Sequence, residues 1–136
     1  MVQENVAFDS FGHCFAMEDG IETGNSFLRN LGAQIDAPAT KIQNNGPETD
    51  NEPAIFWITN PNNYFEGNVA AGSSSGVGIW YELKKRGALK DFFPDPIYEP
   101  LGSFINNVVH SNTGRLGAVR LYPKGFLPNG RAFSQD

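Results

Sequence analysis

Three stretches decide the fold: Asn25-Ser26-Phe27-Leu28-Arg29-Asn30, Asn63-Tyr64-Phe65-Glu66-Gly67-Asn68 and Gly102-Ser103-Phe104-Ile105-Asn106-Asn107. Each reads x-x-Phe-x-x-Asn, and the phenylalanines are 38 and 39 residues apart. The likeness runs on. Asn68-Val69-Ala70 and Asn107-Val108-Val109 lead to Gly78 and Gly117, each ten residues past its asparagine. Apolar runs follow, Ile79-Trp80-Tyr81 and Ala118-Val119-Arg120-Leu121-Tyr122. Asn5-Val6-Ala7 with Gly12-His13-Cys14-Phe15 reads as an earlier copy, shortened by three residues.

Glycine, proline and asparagine interrupt nearly every window, so no helical apolar period survives three turns. Short β-branched and aromatic runs bounded by turn residues favour strands. A propeller blade would need four hairpin-linked strands per repeat. A right-handed parallel β-helix needs only short strands stacked coil on coil, with a phenylalanine inside and an asparagine amide laddering at a bend. The expected fold is therefore all-β, a right-handed parallel β-helix of three to four coils. Such coils are shorter than the repeat, so two proline-rich excursions, 35–53 and 84–100, take up the surplus. Ile97, Tyr98, Phe92 and Phe93 are expected to pack down from the second, with Asn44, Asn45 and Lys85 in water.

At 136 residues the chain is one domain, 1–136, with room for a core. Residues 1–83 carry two basic and eleven acidic side chains, a balance of −9; residues 84–136 carry eight and four, a balance of +4. The acidic part disfavours nucleic acid, whose phosphates need basic stripes. No apolar run spans a bilayer, and Met1-Val2-Gln3-Glu4-Asn5 has no signal-peptide pattern. A single cysteine, Cys14, excludes a disulfide framework and a cysteine-based zinc site.

Residues 10–25 (SFGHCFAMEDGIETGN), 54–83 and 101–129 together resemble the β-helix region shared by fibrocystin (polyductin)-like receptors and the cell-surface hyaluronidases. The motifs that carry the resemblance are Gly-His-x-Phe before Glu-Asp-Gly, then Trp-Ile-Thr-Asn-Pro-Asn-Asn, Gly-Asn-Val-Ala-Ala-Gly-Ser and His-Ser-Asn. The resemblance implies a right-handed parallel β-helix inside a long extracellular or cell-surface protein, of which this chain is a fragment.

His13, Glu18, Asp19 and Glu22 form the most suggestive cluster. Two carboxylates at a strand end are a donor pair for Ca2+, or an acid and base for a glycosidic bond, with His13 as proton shuttle. Alternation puts His13 and Glu18 on opposite faces, however, and the competing reading makes His13 a stacked structural residue and the acids a turn cap. No further cofactor is indicated. His110 reads as a buried histidine bonded to backbone at a corner, Ser73-Ser74-Ser75 as a turn, and Cys14 as a small buried residue. Trp57 and Tyr81 are candidate sugar platforms, Glu22 and Arg120 candidate polar contacts. The function expected first is a non-catalytic segment that binds or presents surfaces to a glycan or an extracellular protein. A glycosaminoglycan-depolymerising hydrolase and a structural spacer are the alternatives, so enzyme status stays open. An uncapped first coil exposing Val6, Phe8 and Phe11 points to a homodimer.

Overall fold

A computed structural model describes residues 1–38, 52–83 and 95–122. Among these described residues twelve strands follow in order: β1 (Val2–Gln3), β2 (Val6–Phe11), β3 (Phe15–Ala16), β4 (Ser26–Leu28), β5 (Leu31–Asp36), β6 (Ala54–Ile58), β7 (Tyr64–Glu66), β8 (Val69–Ser73), β9 (Val77–Glu82), β10 (Ser103–Ile105), β11 (Val108–His110) and β12 (Val119–Tyr122). Every third strand joins the same sheet. The first sheet runs β1-β4-β7-β10, the second β2-β5-β8-β11 and the third β3-β6-β9-β12. All pairings are parallel, and the architecture is a parallel β-helix.

Two columns of left-handed residues make the corners. Glu4, Arg29, Gly67 and Asn106 bend each layer between its first and second strand, and Asp9, Gln34 and Gly72 bend the second strand itself while Ser111 follows its counterpart directly, all with φ between 51° and 71°. Directly after the first column come Asn5, Asn30, Asn68 and Asn107. At such a corner a backbone N–H cannot reach the next layer's carbonyl, and a side-chain amide takes its place. Asn68 Oδ1 accepts from both the backbone N and Nδ2 of Asn30, each at 3.0 Å, while its Nδ2 donates to Phe27 O at 2.8 Å. Asn30 serves Asn5 in the same way, and Asn107 serves Asn68. The asparagine ladder is therefore continuous through all layers.

Beside it, Phe27, Phe65 and Phe104 share one register position. The Phe27 and Phe65 rings stack at 4.7 Å and 3° between planes, and Phe56 meets the edge of Phe65 at 6.2 Å. Ile35, Ile55, Ile58, Ile79, Tyr81 and Leu83 complete the core. Volumes trade places between layers. A Cβ on Gly32 would sit 2.1 Å from Ile55 Cγ2, so the glycine leaves room for that isoleucine. In the next layer Ala70 takes the Gly32 position, and Gly78 opens a space filled by Val109 Cγ1 from the layer beyond.

Some expectations need correction. Ile79 pairs with Val119 and with Phe56, which pairs with Phe15. Ala118 and Cys14 therefore occupy the Gly78 position, and Gly117 and Gly12 do not. Gly117 bulges at φ 88°, one residue out of step. Ile35 and Asp36 belong to β5, with Ile35 paired to Ser10 and Ser73, so the first excursion starts later than residue 35. Of the second, 95–100 are described: a 3-10 turn at Pro96–Tyr98 packs Ile97 against the core while Tyr98 stays exposed. Phe92, Phe93, Asn44, Asn45 and Lys85 lie outside the described residues.

Candidate functional site

The loop after β3 is held from the next layer by the Asn60-Pro61-Asn62-Asn63 segment. Asn60 Nδ2 donates to Gly20 O at 2.9 Å and Asn63 Nδ2 to Glu22 O at 2.7 Å. Asn63 Oδ1 also accepts Asn25 N at 2.8 Å. Both asparagines are fully buried, so the shape of the acidic loop is set by the layer beneath it. Sequence reasoning passed over these two positioning residues. Their signal was present in the run of asparagines around a proline, next to the recurring phenylalanine.

Within that loop Glu22, Glu18 and Asp19 come together. Glu22 Oε1 accepts Glu18 N at 3.2 Å and Asp19 N at 3.0 Å. Partial burial pushes the Glu22 carboxyl up, but the backbone N–H groups of Asp19, Glu22, Glu18 and Gly20 outweigh it and hold the carboxyl below its usual range. Glu22 is thus a loop staple, and the Glu18 and Asp19 side chains project into water. Because its folded pKa lies below the unfolded one, Glu22 adds stability above the unfolded value that is lost as pH falls through the folded value. The melting temperature should therefore drop on acidification, and Glu22→Gln should remove part of that drop. Equal acid slopes for the two proteins in a thermal melt series would refute the staple.

His13 belongs to a different arrangement. Its Nδ1 accepts Ala54 N at 2.9 Å, which places the neutral ring's proton on Nε2. Its ring lies 4.6 Å from Trp57, which lies 5.0 Å from Trp80. Arg120 caps the row, 4.1 Å over Trp80 and 5.3 Å from Tyr122, with Glu52 Oε2 at 3.9 Å from its Nη1. Arg115 also reaches Glu52. The row runs along the outer side of the third sheet, in the register Ala16, Trp57, Trp80, Arg120. Arg120 is therefore three strand spacings from the layer that holds His13 and Glu22.

The sugar-platform residues are placed otherwise than expected. Trp57 is 7% exposed, its ring faces taken by His13 and Trp80, and Tyr81 is 3% exposed within the core. Burial pushes the Tyr81 hydroxyl up, so it stays protonated. Alternation alone could not choose, because the consecutive residues Ile55 and Phe56 both join the core. His110 is exposed and bonds Ser111 Oγ at 2.9 Å, in place of the buried backbone contact expected for it. Ser73 and Ser75 serve turns, accepting Gly76 N and Ala37 N. Cys14 packs against the core, and burial raises its thiol despite a bond with Ser10. Among the described residues, no group of three His, Cys, Asp or Glu side chains is placed to hold a metal ion. None of the described helices is long and apolar enough to cross a membrane.

Apolar side chains are exposed instead on the outer face of the second sheet. Two columns run in register across all four strands: Val6, Leu31, Val69, Val108 and Phe8, Ala33, Ala71, His110. Val6 is 70% and Phe8 63% exposed. Along one side lies the pair of Arg29 Nη2 and Glu4 Oε1 at 2.6 Å, a contact that, with Arg29 as the main donor, lowers the Glu4 carboxyl pKa.

Residues 1–116 match the family model described as the CEMIP beta-helix. The chain is 36% identical over 136 aligned positions to cell surface hyaluronidase CEMIP2 of Homo sapiens, covering 82% of the chain and 10% of that protein. It is 38% identical over 120 positions to fibrocystin-L of Homo sapiens, covering 82% of the chain and 2% of that protein. A cell surface hyaluronidase of Danio rerio is 36% identical, with 82% and 10% covered. The chain thus spans a small part of the length of these relatives. No solved structure matches it.

Proposed function

Because the chain belongs to the CEMIP β-helix family, we propose that it is an extracellular solenoid segment that offers the outer face of its second sheet to a glycan or protein ligand. The observation that carries this reading is the pair of outward columns headed by the exposed Val6 and Phe8, half-exposed at Val69, Ala33 and Ala71 and apolar except for His110. Contiguous apolar surface of this kind marks interaction sites, and the C–H faces of sugar rings pack flat on it. The extracellular placement draws on relatives named as cell-surface proteins. We take the solenoid as right-handed, the hand of nearly all parallel crossovers, and as four turns, one for each strand of a sheet. A glycan array carrying neutral and acidic chains tests the face: Phe8→Ser and Val69→Asn should each abolish the signal of the wild-type chain. Binding unchanged in both variants would move the ligand elsewhere, and an array without any binder would favour a spacer.

The hyaluronidase names of two relatives support a second reading, depolymerisation of an acidic glycosaminoglycan with Glu18 and Asp19 as its carboxylates and His13 as its proton carrier. The balance of −9 over residues 1–83 opposes it, since an acidic polymer is repelled by such a surface. Hyaluronan cleavage by the wild-type chain, lost in both His13→Ala and Glu18→Gln, would make it the better reading.

A further inference from the structure

The outer face of the second sheet repeats in two directions. Along each strand an outward residue is followed by a left-handed one: Phe8 by Asp9, Ala33 by Gln34, Ala71 by Gly72 and His110 by Ser111. Across the strands the same pair recurs in every layer, about 4.8 Å apart. An apolar strip therefore runs along the solenoid axis beside a rail of short polar groups. The rail consists of the Asp9 carboxylate, the Gln34 amide and the Ser111 hydroxyl, all exposed. Gly72 opens it in one layer, where a Cβ would lie 3.8 Å from Gln34 Cγ. Beyond the rail, Phe11 is 71% exposed in register with Asp36, whose Oδ1 accepts from Ser74 Oγ.

Charge narrows what such a strip can hold. Residues 4–11, 29–36, 67–74 and 106–113 carry three carboxylates, Glu4, Asp9 and Asp36, against one guanidinium. That guanidinium, Arg29, is already held by Glu4 at 2.6 Å. An acidic polymer would be repelled here. Hydroxyl groups suit the rail, since they donate to carboxylates and exchange hydrogen bonds with an amide or another hydroxyl. The repeat length separates a sugar from a peptide. An extended peptide advances about 3.3 Å per residue and falls out of step with layers about 4.8 Å apart. A β-linked pyranose advances by close to one layer.

Taking the outer face of the second sheet as the ligand surface, we propose that its ligand is a neutral, linear, β-linked glycan lying along the solenoid axis. Each ring rests its C–H face on one member of the Phe8, Ala33, Ala71, His110 column, and its hydroxyls meet Asp9, Gln34 and Ser111. Uronate-bearing chains are turned away by Asp9 and Asp36.

Calorimetric titration with β-1,4-linked N-acetylglucosamine oligomers, from dimer to hexamer, and with a hyaluronan hexasaccharide tests this on the full chain. Affinity for the neutral oligomers should rise with each unit from dimer to tetramer, and the hyaluronan hexasaccharide should not bind. Asp9→Gly and Gln34→Gly should each weaken the neutral hexamer about fivefold, the worth of one ordinary hydrogen bond. Glycine suits the left-handed backbone and already stands in the rail as Gly72, so both variants keep its course, which circular dichroism checks. An affinity that stays flat from dimer to tetramer, or one untouched by both glycine variants, would overturn the proposal. Hyaluronan bound in place of the neutral oligomers, and lost in Phe8→Ser, would overturn it while leaving the face as the ligand surface. Neutral binding that survives Phe8→Ser would overturn the face together with its ligand. A leucine- and lysine-containing peptide that shifts the Ala33 and Ala71 amide resonances, where no oligosaccharide does, would give the face to a protein and overturn the glycan.

Discussion

Asn68→Ala is expected to cost about 2–6 kcal/mol of folding stability. The figure follows from the groups it strands: Asn30 N loses its acceptor and Phe27 O loses its donor, while Asn30 Nδ2 keeps Val2 O. Each buried polar group left without a partner costs about 1–3 kcal/mol. A domain holds only about 5–15 kcal/mol in total, so the loss takes a large share. The same substitution should hurt progressively less toward water: Asn107→Ala is partly buried, and Asn5→Ala stands at the exposed end. Urea midpoints for the three variants would give the order. Equal, small shifts in all three would show that the amides are solvated ornaments of the corner and not its fastening.

Phe65→Ala is expected to cost about 3–5 kcal/mol, the usual range for truncating a buried aromatic. Its ring touches Phe27 face to face, Phe56 edge-on and Tyr81 at 6.4 Å, so the void would open between three rings. Phe104→Ala at the same register position should cost less than half as much, because that ring already meets water. Equilibrium unfolding of both proteins checks the pair. A Phe65→Ala loss below about 1 kcal/mol would place that side chain outside the core.

The repeating part of the fold was readable because its length is invariant. From Phe27 to Ile35, Phe65 to Ser73 and Phe104 to Asn112 the chain crosses two bends in the same number of residues. Register in the first two sheets therefore follows from aligning phenylalanine and asparagine. The third sheet escaped because its strands come after connections of unequal length. There, glycine was taken as a landmark, and Gly117 misled by one residue, enough to turn a strand's side chains to the other face. The candidate site suffered from the same limit. Alternation correctly set Trp57 and Phe56 on opposite sides, and Trp80 and Tyr81 likewise. It could not say which side was inner, nor that His13 and Trp80 would cover Trp57. The exposed face of the second sheet was overlooked because Val6, Leu31 and Val108 look like core residues in one dimension. Only the register shows that they share the outer surface.

The exchange of volume between Gly32 with Ile55 and Gly78 with Val109 bears on how such a chain can be rearranged. A repeat protein invites treatment as identical bricks, to be duplicated, deleted or shuffled. Here each brick is cut to its neighbours: the Gly78 layer is hollow where the following layer protrudes, and the Ile55 layer fills its own hollow. Duplicating the Gly78 layer would set Ala70 where Val109 now stands and leave the hollow half empty. Deleting it would drive Val109 toward Ile55. The order of the repeats is thus written into the core as firmly as their number, and a longer solenoid built from these parts must carry matched pairs of layers, not single ones.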